Sequence, residues 1–172
     1  DRERDLCWTM LRQSHQGAQE EKTGDFTPPL GGDEPEPVQR LRFRFAKRGQ
    51  ARLLSHLETV HTFLRALGRA QVPVSYSQGF HPQPRLALGT ALATGIESEG
   101  EYADLFLTSS LLPEDFVAAV NASLPPGLVV LAAWEVPLRA VALMSEIHAA
   151  DYLLQVPGDL AGHNGAPLVA RL

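Results

Sequence analysis

Apolar and polar side chains alternate along the segment from Arg40 to Ala46. In an extended backbone, alternate residues point to opposite sides, so Leu41, Phe43 and Phe45 share one side. The other side carries only arginines: Arg40, Arg42 and Arg44. The pattern predicts a strand with one side in the core and one basic side.

Two helices are predicted from their start signals and apolar spacing. Ser55 and Glu58 fit a capping box, and the helix that follows is expected to reach about Ala70. Its apolar spacing predicts that Leu57, Val60, Leu64 and Leu67 are buried. The second helix spans Pro113–Ser123, with proline in its first turn and two acidic residues near its positive end.

Three further strands complete the predicted fold. They are Val72–Tyr76, which resumes at Leu86–Leu88, then Tyr102–Thr108 and Leu128–Val136. The order β-α-β-β-α-β predicts an α+β, ferredoxin-like split βαβ fold, in which an antiparallel sheet carries both helices on one face. We expect the other face of the sheet to be open.

The remaining segments suggest how the chain is divided. Residues 1–16 are interpreted as the tail of a preceding domain or a short helix, and residues 17–39 as a flexible linker rich in Gly, Pro and Glu. The ferredoxin-like domain is assigned to residues 40–137. Residues 138–172 are expected to begin a further unit, with a strand at Glu146–Val156. With no initiator Met and no leader, the chain is expected to be part of a longer cytoplasmic protein.

Charge changes the expectation about partners. The whole chain has a formal net charge of −5 and a pI of about 5.6, which by itself argues against a polyanionic ligand. Yet residues 40–89 contain nine basic side chains and a single acid, Glu58. Local patches decide where a polyanion docks, so RNA remains a candidate partner. No apolar run approaches the length of about 18 residues typical of a membrane span.

The basic residues provide the candidate nucleic-acid site. Arg42 and Arg44 are expected to hold phosphates on the open sheet face, where aromatic side chains stack bases in related platforms. The alternative is that they pair with acids on a neighbouring strand, Asp104 or Glu101. Further phosphate contacts are assigned to Lys47, Arg48, Arg52, Arg65, Arg69 and Arg85.

The segment Tyr76–Arg85 is the second part of that site. Gly79 permits backbone angles closed to other residues, and two prolines stiffen the loop. Tyr76, Phe80 and His81 are therefore predicted to contact a base. The alternative is a structural bulge whose Phe80 fills the core.

Catalysis and metal binding have weaker support. His56 and His81 would serve as general acid and base of a metal-independent ribonuclease if the fold brought them together. His56 and His61 are five residues apart, which does not match a helical pair of metal ligands. The single cysteine, Cys7, allows no internal disulfide and no cysteine-rich metal or iron–sulfur site. We expect no metal site in this chain.

Five motifs follow one another in order: Arg42–Gly49, Arg52–Glu58, Arg65–Ala70, Val72–Pro84 and Gly95–Tyr102. Together they resemble the radical SAM-linked domain of unknown function, which occurs alone or fused to the C-terminus of cobalamin-binding-type radical SAM proteins. Arg48 and Gly68 depart from the usual pattern of that family. The resemblance covers about Arg40 to Pro137.

The resemblance implies a non-catalytic accessory domain. An iron–sulfur cluster, S-adenosylmethionine and, as a further candidate, cobalamin would then belong to a parent or partner protein and not to this chain. The leading hypothesis is a module that presents RNA to a radical SAM enzyme. The alternatives are a protein-interaction domain that docks the radical SAM barrel, and the ribonuclease that uses His56 and His81.

Overall fold

The computed structural model describes residues 35–153 and 169–171. Within these residues, no helix is long and apolar enough to cross a membrane. The strands are β1 (Gln39–Lys47), β2 (Leu86–Leu88), β3 (Ser98–Leu107), β4 (Leu128–Val136), β5 (Asp151–Leu153) and β6 (Val169–Arg171). The α-helices are α1 (His56–Arg69), α2 (Pro113–Asn121) and α3 (Leu143–Glu146), and a 3-10 helix spans Gly49–Leu53.

The main sheet has four antiparallel strands in the order β2-β3-β1-β4. This is the order in which a split βαβ unit places its strands, so the α+β ferredoxin-like prediction is confirmed. β1 lies in the centre, and Arg42 is paired in register with Asp104 on one side and Trp134 on the other. Side chains from three strands therefore meet around the arginines of β1.

One sheet face forms the hydrophobic core. The ring of Phe43 on β1 lies 5.5 Å from that of Phe63 on α1 and 5.3 Å from that of Phe116 on α2, measured between centroids. All three phenylalanines are fully buried. Because both helices bury aromatic rings against the same strand residue, both pack on this face, as predicted.

The first helix begins as predicted, and Leu67 of its predicted apolar side is buried, but Leu57 is not. The backbone N–H of Glu58 donates to Ser55 Oγ, and the carboxylate of Glu58 accepts from the backbone of Ser55, which completes the capping box. The buried residues are Thr59, Thr62, Phe63, Ala66 and Leu67, whereas Leu57 is 67% exposed. The prediction was wrong for Leu57 because the large ring of Phe63 packs between Phe43 and Phe45 and sets the rotation of the helix.

The predicted second strand is interrupted. Val74 forms an isolated bridge with Leu107, the chain then leaves the sheet, and pairing with β3 resumes at Leu86. Tyr76 forms a bridge with Pro84, so the excursion closes at its base like a small hairpin. We call residues 77–83 the hairpin loop.

After β4, residues 138–147 cross the sheet face opposite the helices, and we call them the strap. The carbonyls of Ala140 and Val141 accept hydrogen bonds from Arg40, and Leu143 is buried. A Cβ at Gly89, on the edge of the sheet, would lie 2.8 Å from Ile147 Cδ1. The predicted strand at Glu146–Val156 is wrong at its start, since Glu146 ends α3, and Asp151–Leu153 form β5. Its last three residues, 154–156, lie outside the described part of the chain.

Candidate nucleic-acid interface

The face of the sheet opposite the helices carries the three arginines of β1, and one end of it is covered. Arg42 Nε donates to Asp104 Oδ1 at 2.7 Å, and Arg40 Nη2 donates to Asp104 Oδ2 at 2.5 Å. Glu146 of the strap forms a further ion pair with Arg42. The expectation of an open face is therefore wrong at Arg42, which is only 7% exposed. The alternative pairing with Asp104 is observed.

Hydrogen bonding to Asp104 is the largest cause of a raised pKa at Arg42, and the ion pair with Glu146 adds to it. Burial opposes this shift but does not outweigh it. The guanidinium is thus held in its charged form by its two carboxylate partners.

The other end of this face is uncovered. Arg44 is exposed, and none of the ion pairs formed among the described residues includes it. It is paired in register with Tyr102 on β3 and Ala132 on β4. The rings of Tyr102 and Trp134 meet edge to face with centroids 6.3 Å apart, and Trp134 is 38% exposed. We call Arg44, Tyr102 and Trp134 the aromatic corner.

Lys47 was predicted to contact phosphate, but it lies away from solvent. Its Nζ donates to the carbonyl of Leu54 at 2.6 Å, and the residue is 2% exposed. Burial lowers its pKa, and the negative charges of Glu101 and Glu58 offset part of that shift. In this position Lys47 braces the 3-10 helix and is not available to a ligand on the surface.

Arg48 and Arg52 are exposed but paired with acids. Arg48 Nε donates to Glu99 Oε1 at 2.6 Å, and Arg52 Nη1 lies 3.5 Å from Glu97 Oε1. The hydrogen bond with Glu99 raises the pKa of Arg48 and lowers that of Glu99. Much of the positive charge counted in the sequence is therefore neutralised locally by acids that follow residue 89.

Arg65 and Arg69 lie on α1, on the other side of the sheet from the aromatic corner. Both are exposed; Arg65 Nη2 donates to Thr62 Oγ1 and Arg69 Nη2 donates to the carbonyl of Ser123 at 2.6 Å. A single small ligand on the sheet face would not reach them. The structure thus separates the predicted basic residues into two surfaces.

The hairpin loop is braced and projects from the sheet edge. The backbone N–H of Ser77 donates to the carbonyl of Gln83, and the backbone N–H of Gln83 donates to Ser77 Oγ. Phe80 at the tip is fully exposed and His81 is exposed, so the alternative in which Phe80 fills the core is wrong. Tyr76 at the base is half-buried.

Arg85 returns the chain to the sheet after the hairpin loop. Its guanidinium lies 4.2 Å from the centroid of the Phe106 ring, and that of Arg40 lies 5.2 Å from the same ring. Such cation–π contacts hold an arginine in place without neutralising its charge. Arg85 is half-buried at the edge of the covered end of the face.

The structure does not bring the two candidate catalytic histidines together. His56 lines a small cleft with Lys47, Thr59 and Glu101, whereas His81 is an exposed residue of the hairpin loop and does not line it. The cleft has a volume of about 10 Å³, which holds about one water molecule. Among the described residues, no three His, Cys, Asp or Glu side chains form a possible metal site.

Sequence reasoning missed two residues of the aromatic corner, Tyr102 and Trp134. Both residues belong to predicted strands, and the strand register places both on the arginine side of the sheet. A signal was present for Tyr102, because it alternates with the apolar residues of its strand and an aromatic residue on the polar side is a candidate for an exposed platform. Their contact depends on strand register, which the alternation alone does not provide.

The chain matches a known protein family over most of its length. The family DUF2344, described as uncharacterized proteins conserved in bacteria, matches residues 40–167. That range contains the main sheet apart from Gln39, together with the strap and the aromatic corner. A comparison with curated proteins finds no match.

Proposed function

The chain belongs to the DUF2344 family of bacterial proteins, and we propose that its aromatic corner binds RNA at an unpaired base. The observation that carries the proposal is the position of Arg44 beside the edge-to-face pair of Tyr102 and Trp134. Flat aromatic side chains stack unpaired bases, and an arginine next to them holds the phosphate.

The charge on Arg44 supports this assignment. Arg40 and Arg42 lie on the same side of β1, but both are committed to Asp104. Arg44 has no acidic partner among the described residues and lies in the exposed part of the face. A free guanidinium retains its capacity for a bidentate contact with phosphate.

The exposed surface supports single-stranded RNA better than a duplex. Trp134 and Tyr102 present ring surface and edges, which an unstacked base can contact and a paired base cannot. The strap covers the sheet face at Arg42 and leaves Arg44 exposed, so we expect a loop or an end of the RNA to reach the corner. The hairpin loop, with Phe80 at its tip, is a second place for a base at the opposite edge of the sheet.

The test is the binding of a fluorescein-labelled single-stranded RNA of about 12 nucleotides, a length within the range that such platforms contact. Fluorescence anisotropy at about 50 and 200 mM KCl should show affinity falling steeply with salt. In a Trp8→Phe background, Trp134 is the only tryptophan, so quenching of its fluorescence reports whether RNA reaches the aromatic corner.

Arg44→Glu and Arg65→Glu form a matched pair that makes the same charge change on opposite sides of the sheet. We expect Arg44→Glu to weaken RNA binding about tenfold or more and to reduce the salt slope by about one. Arg65→Glu should change affinity by less than about threefold, since it lies far from the site. Equal losses in the two variants would remove the aromatic corner as the binding site.

A role beside a radical SAM enzyme rests on the resemblance of the motifs between Arg42 and Tyr102. In that role this domain holds RNA while the iron–sulfur cluster, S-adenosylmethionine and any cobalamin are held by a parent or partner protein. The outer side of α1 is the candidate docking surface, since Leu57 is exposed there and is followed at four-residue steps by His61 and Arg65.

Docking to a radical SAM barrel would be tested by pull-down with the barrel alone. Binding that is lost in the Arg65→Glu/Arg69→Glu double variant and kept in Arg44→Glu would assign α1 to the protein and the aromatic corner to RNA. If the chain binds no RNA at either salt concentration but does bind the barrel, the protein-interaction function replaces RNA binding as the proposal.

A further inference from the structure

At the covered end of the sheet face, the basic side chains outnumber the acidic side chains of the strands that pair with them by one. Two guanidinium groups, those of Arg40 and Arg42, share a single carboxylate, Asp104. Glu146 of the strap supplies the second negative charge through its ion pair with Arg42. The sheet by itself therefore forms an anion site, and a carboxylate from the strap occupies it.

We infer that Arg42 is a second phosphate site beside the aromatic corner, and that Glu146 occupies this site when RNA is absent. The inference rests on the proposed function, because it extends the same RNA-binding face by one contact. It names the ligand as a phosphate group of the strand whose base contacts Tyr102 or Trp134.

The hydrogen-bond geometry of Arg42 supports this assignment. Asp104 accepts from Nε and Nη2, at 2.7 and 3.0 Å, and the donor that meets Glu146 is Nη1. A phosphate oxygen that replaced the carboxylate of Glu146 would take the same Nη1 donor without disturbing the pair with Asp104. Carboxylate and phosphate oxygens are equivalent acceptors for a guanidinium.

The position of Arg42 relative to Arg44 supports a shared ligand. The two residues point to the same side of β1 and lie two positions apart, about 7 Å along an extended strand. Neighbouring phosphates of one polynucleotide can bridge that distance. Trp134, paired in register with Arg42, also contacts the ring of Tyr102, so the base site and both arginines are contiguous.

The strap is attached in a way that allows exchange. Its buried anchor is Leu143, whereas Val141 and Met144 are more than half exposed. The side chain of Glu146 is 39% exposed, so water and ions reach the carboxylate while Arg42 lies beneath it. When a phosphate oxygen replaces the Glu146 carboxylate, Arg42 keeps its pair with Asp104 and gains a new anionic partner, so the exchange leaves no buried charge unpaired.

The decisive variant is Glu146→Gln, with Glu114→Gln as its charge-matched control on the exposed surface of α2. Removing the competing carboxylate should raise the affinity for the single-stranded RNA probe about three- to tenfold. The salt slope should change by less than about one, because a phosphate contacts Arg42 in both proteins once RNA is bound. Glu114→Gln should leave both quantities within about twofold of the starting protein.

A second measurement does not require RNA. Hydrogen exchange of the strap amides, residues 138–147, is followed with and without inorganic tripolyphosphate. We expect tripolyphosphate to accelerate exchange several-fold in the unaltered protein, because phosphate displaces Glu146 from Arg42. In Glu146→Gln the strap should exchange rapidly before any phosphate is added.

The outcomes separate the two proposals. RNA binding that depends on Arg44, with neither affinity nor strap exchange altered by Glu146→Gln, would overturn the Arg42 site and leave the proposed function intact. Strap exchange accelerated by tripolyphosphate in a protein that binds no RNA would support the Arg42 site and remove the RNA proposal. If Glu114→Gln raised the affinity for RNA as much as Glu146→Gln, the effect would come from net charge alone, which would also overturn the inference.

Discussion

The two ends of one sheet face differ although the same strand supplies the same residue type to both. At the covered end, Arg42 is buried between Asp104 and Glu146. At the uncovered end, Arg44 is exposed beside Tyr102. Only two positions along β1 separate them, so the difference does not arise from the local sequence.

The difference comes from what each arginine meets across the sheet. β3 places an acid opposite Arg42 and a tyrosine opposite Arg44, and the strap crosses the sheet over the first and not the second. A basic stripe in a sequence therefore does not indicate a basic surface. The positive charge available to a ligand is the charge that acids on neighbouring strands and loops do not neutralise.

The largest effect is expected from Asp104→Ala, which would leave two buried guanidinium groups sharing no carboxylate from the sheet. Loss of one partner from a buried charge cluster costs about 3 to 5 kcal/mol. Urea denaturation followed by circular dichroism would measure the change in the free energy of unfolding. The exposed acid Asp115 in the first turn of α2 provides the control, since Asp115→Ala should cost less than about 1 kcal/mol.

If Asp104→Ala lowers the free energy of unfolding no more than Asp115→Ala does, water hydrates Arg40 and Arg42 in the folded protein. The covered end would then resemble the uncovered end, and the contrast between them would fail. A fully unfolded variant would agree with the expected direction, and Asp104→Asn would then supply a milder measurement.

The next effect separates the two arginines directly. Arg42→Met removes charged hydrogen bonds to Asp104 and Glu146, which are worth about 1.5 to 3 kcal/mol when a partner is lost. Arg44→Met should change the free energy of unfolding by less than about 0.5 kcal/mol, as is usual for an exposed side chain without partners. The same urea titration measures the free energy of unfolding of both variants. Equal losses in Arg42→Met and Arg44→Met would contradict the expected difference between the two arginines.

The smallest effect concerns Lys47, the basic residue at the end of β1, and it appears as a pH dependence. Burial lowers the pKa of Lys47 in the folded protein below its value in the unfolded chain. Between those two pKa values the unfolded chain binds more protons, so the contribution of Lys47 to stability rises with pH in that window. The window ends near the ordinary lysine pKa of about 10.5.

Lys47→Met keeps the length of the side chain and removes the titrating group. The free energy of unfolding of the unaltered protein minus that of Lys47→Met should increase as pH rises from neutral towards the lysine pKa. Thermal unfolding at several pH values would measure this difference. A difference that stays constant or falls over that range would show that the amine is as well solvated in the fold as in the unfolded chain.

Much of the fold follows from local signals. The alternation from Leu41 to Phe45 identified the core side of β1, and Ser55 with Glu58 identified the start of α1, because strand periodicity and helix capping act over a few residues. The predicted rotation of α1 was wrong at Leu57, which is exposed. Phe63 is buried in place of Leu57 because its ring contacts those of Phe43 and Phe45.

The candidate site shows the same division. Alternation put Arg42 and Arg44 on one side of β1, but strand pairing decides that Tyr102 and Trp134 lie on the same side. Arg42 was assigned to an open surface, although the strap that covers it lies about a hundred residues later in the chain. Contacts between residues so far apart depend on where the strands and the strap pack, and no local pattern encodes that.

The sequence by itself determined the order of the helices and strands, the side of β1 that faces the core, and the concentration of basic residues between Arg40 and Gly89. Those properties depend on neighbours within a few positions. Only the tertiary structure decided which positive charges are exposed, because Asp104, Glu146, Glu97 and Glu99 reach the basic residues through strand pairing, the strap and surface loops. Arg44 remains beside Tyr102 and Trp134 because no acid of the described chain is brought to it.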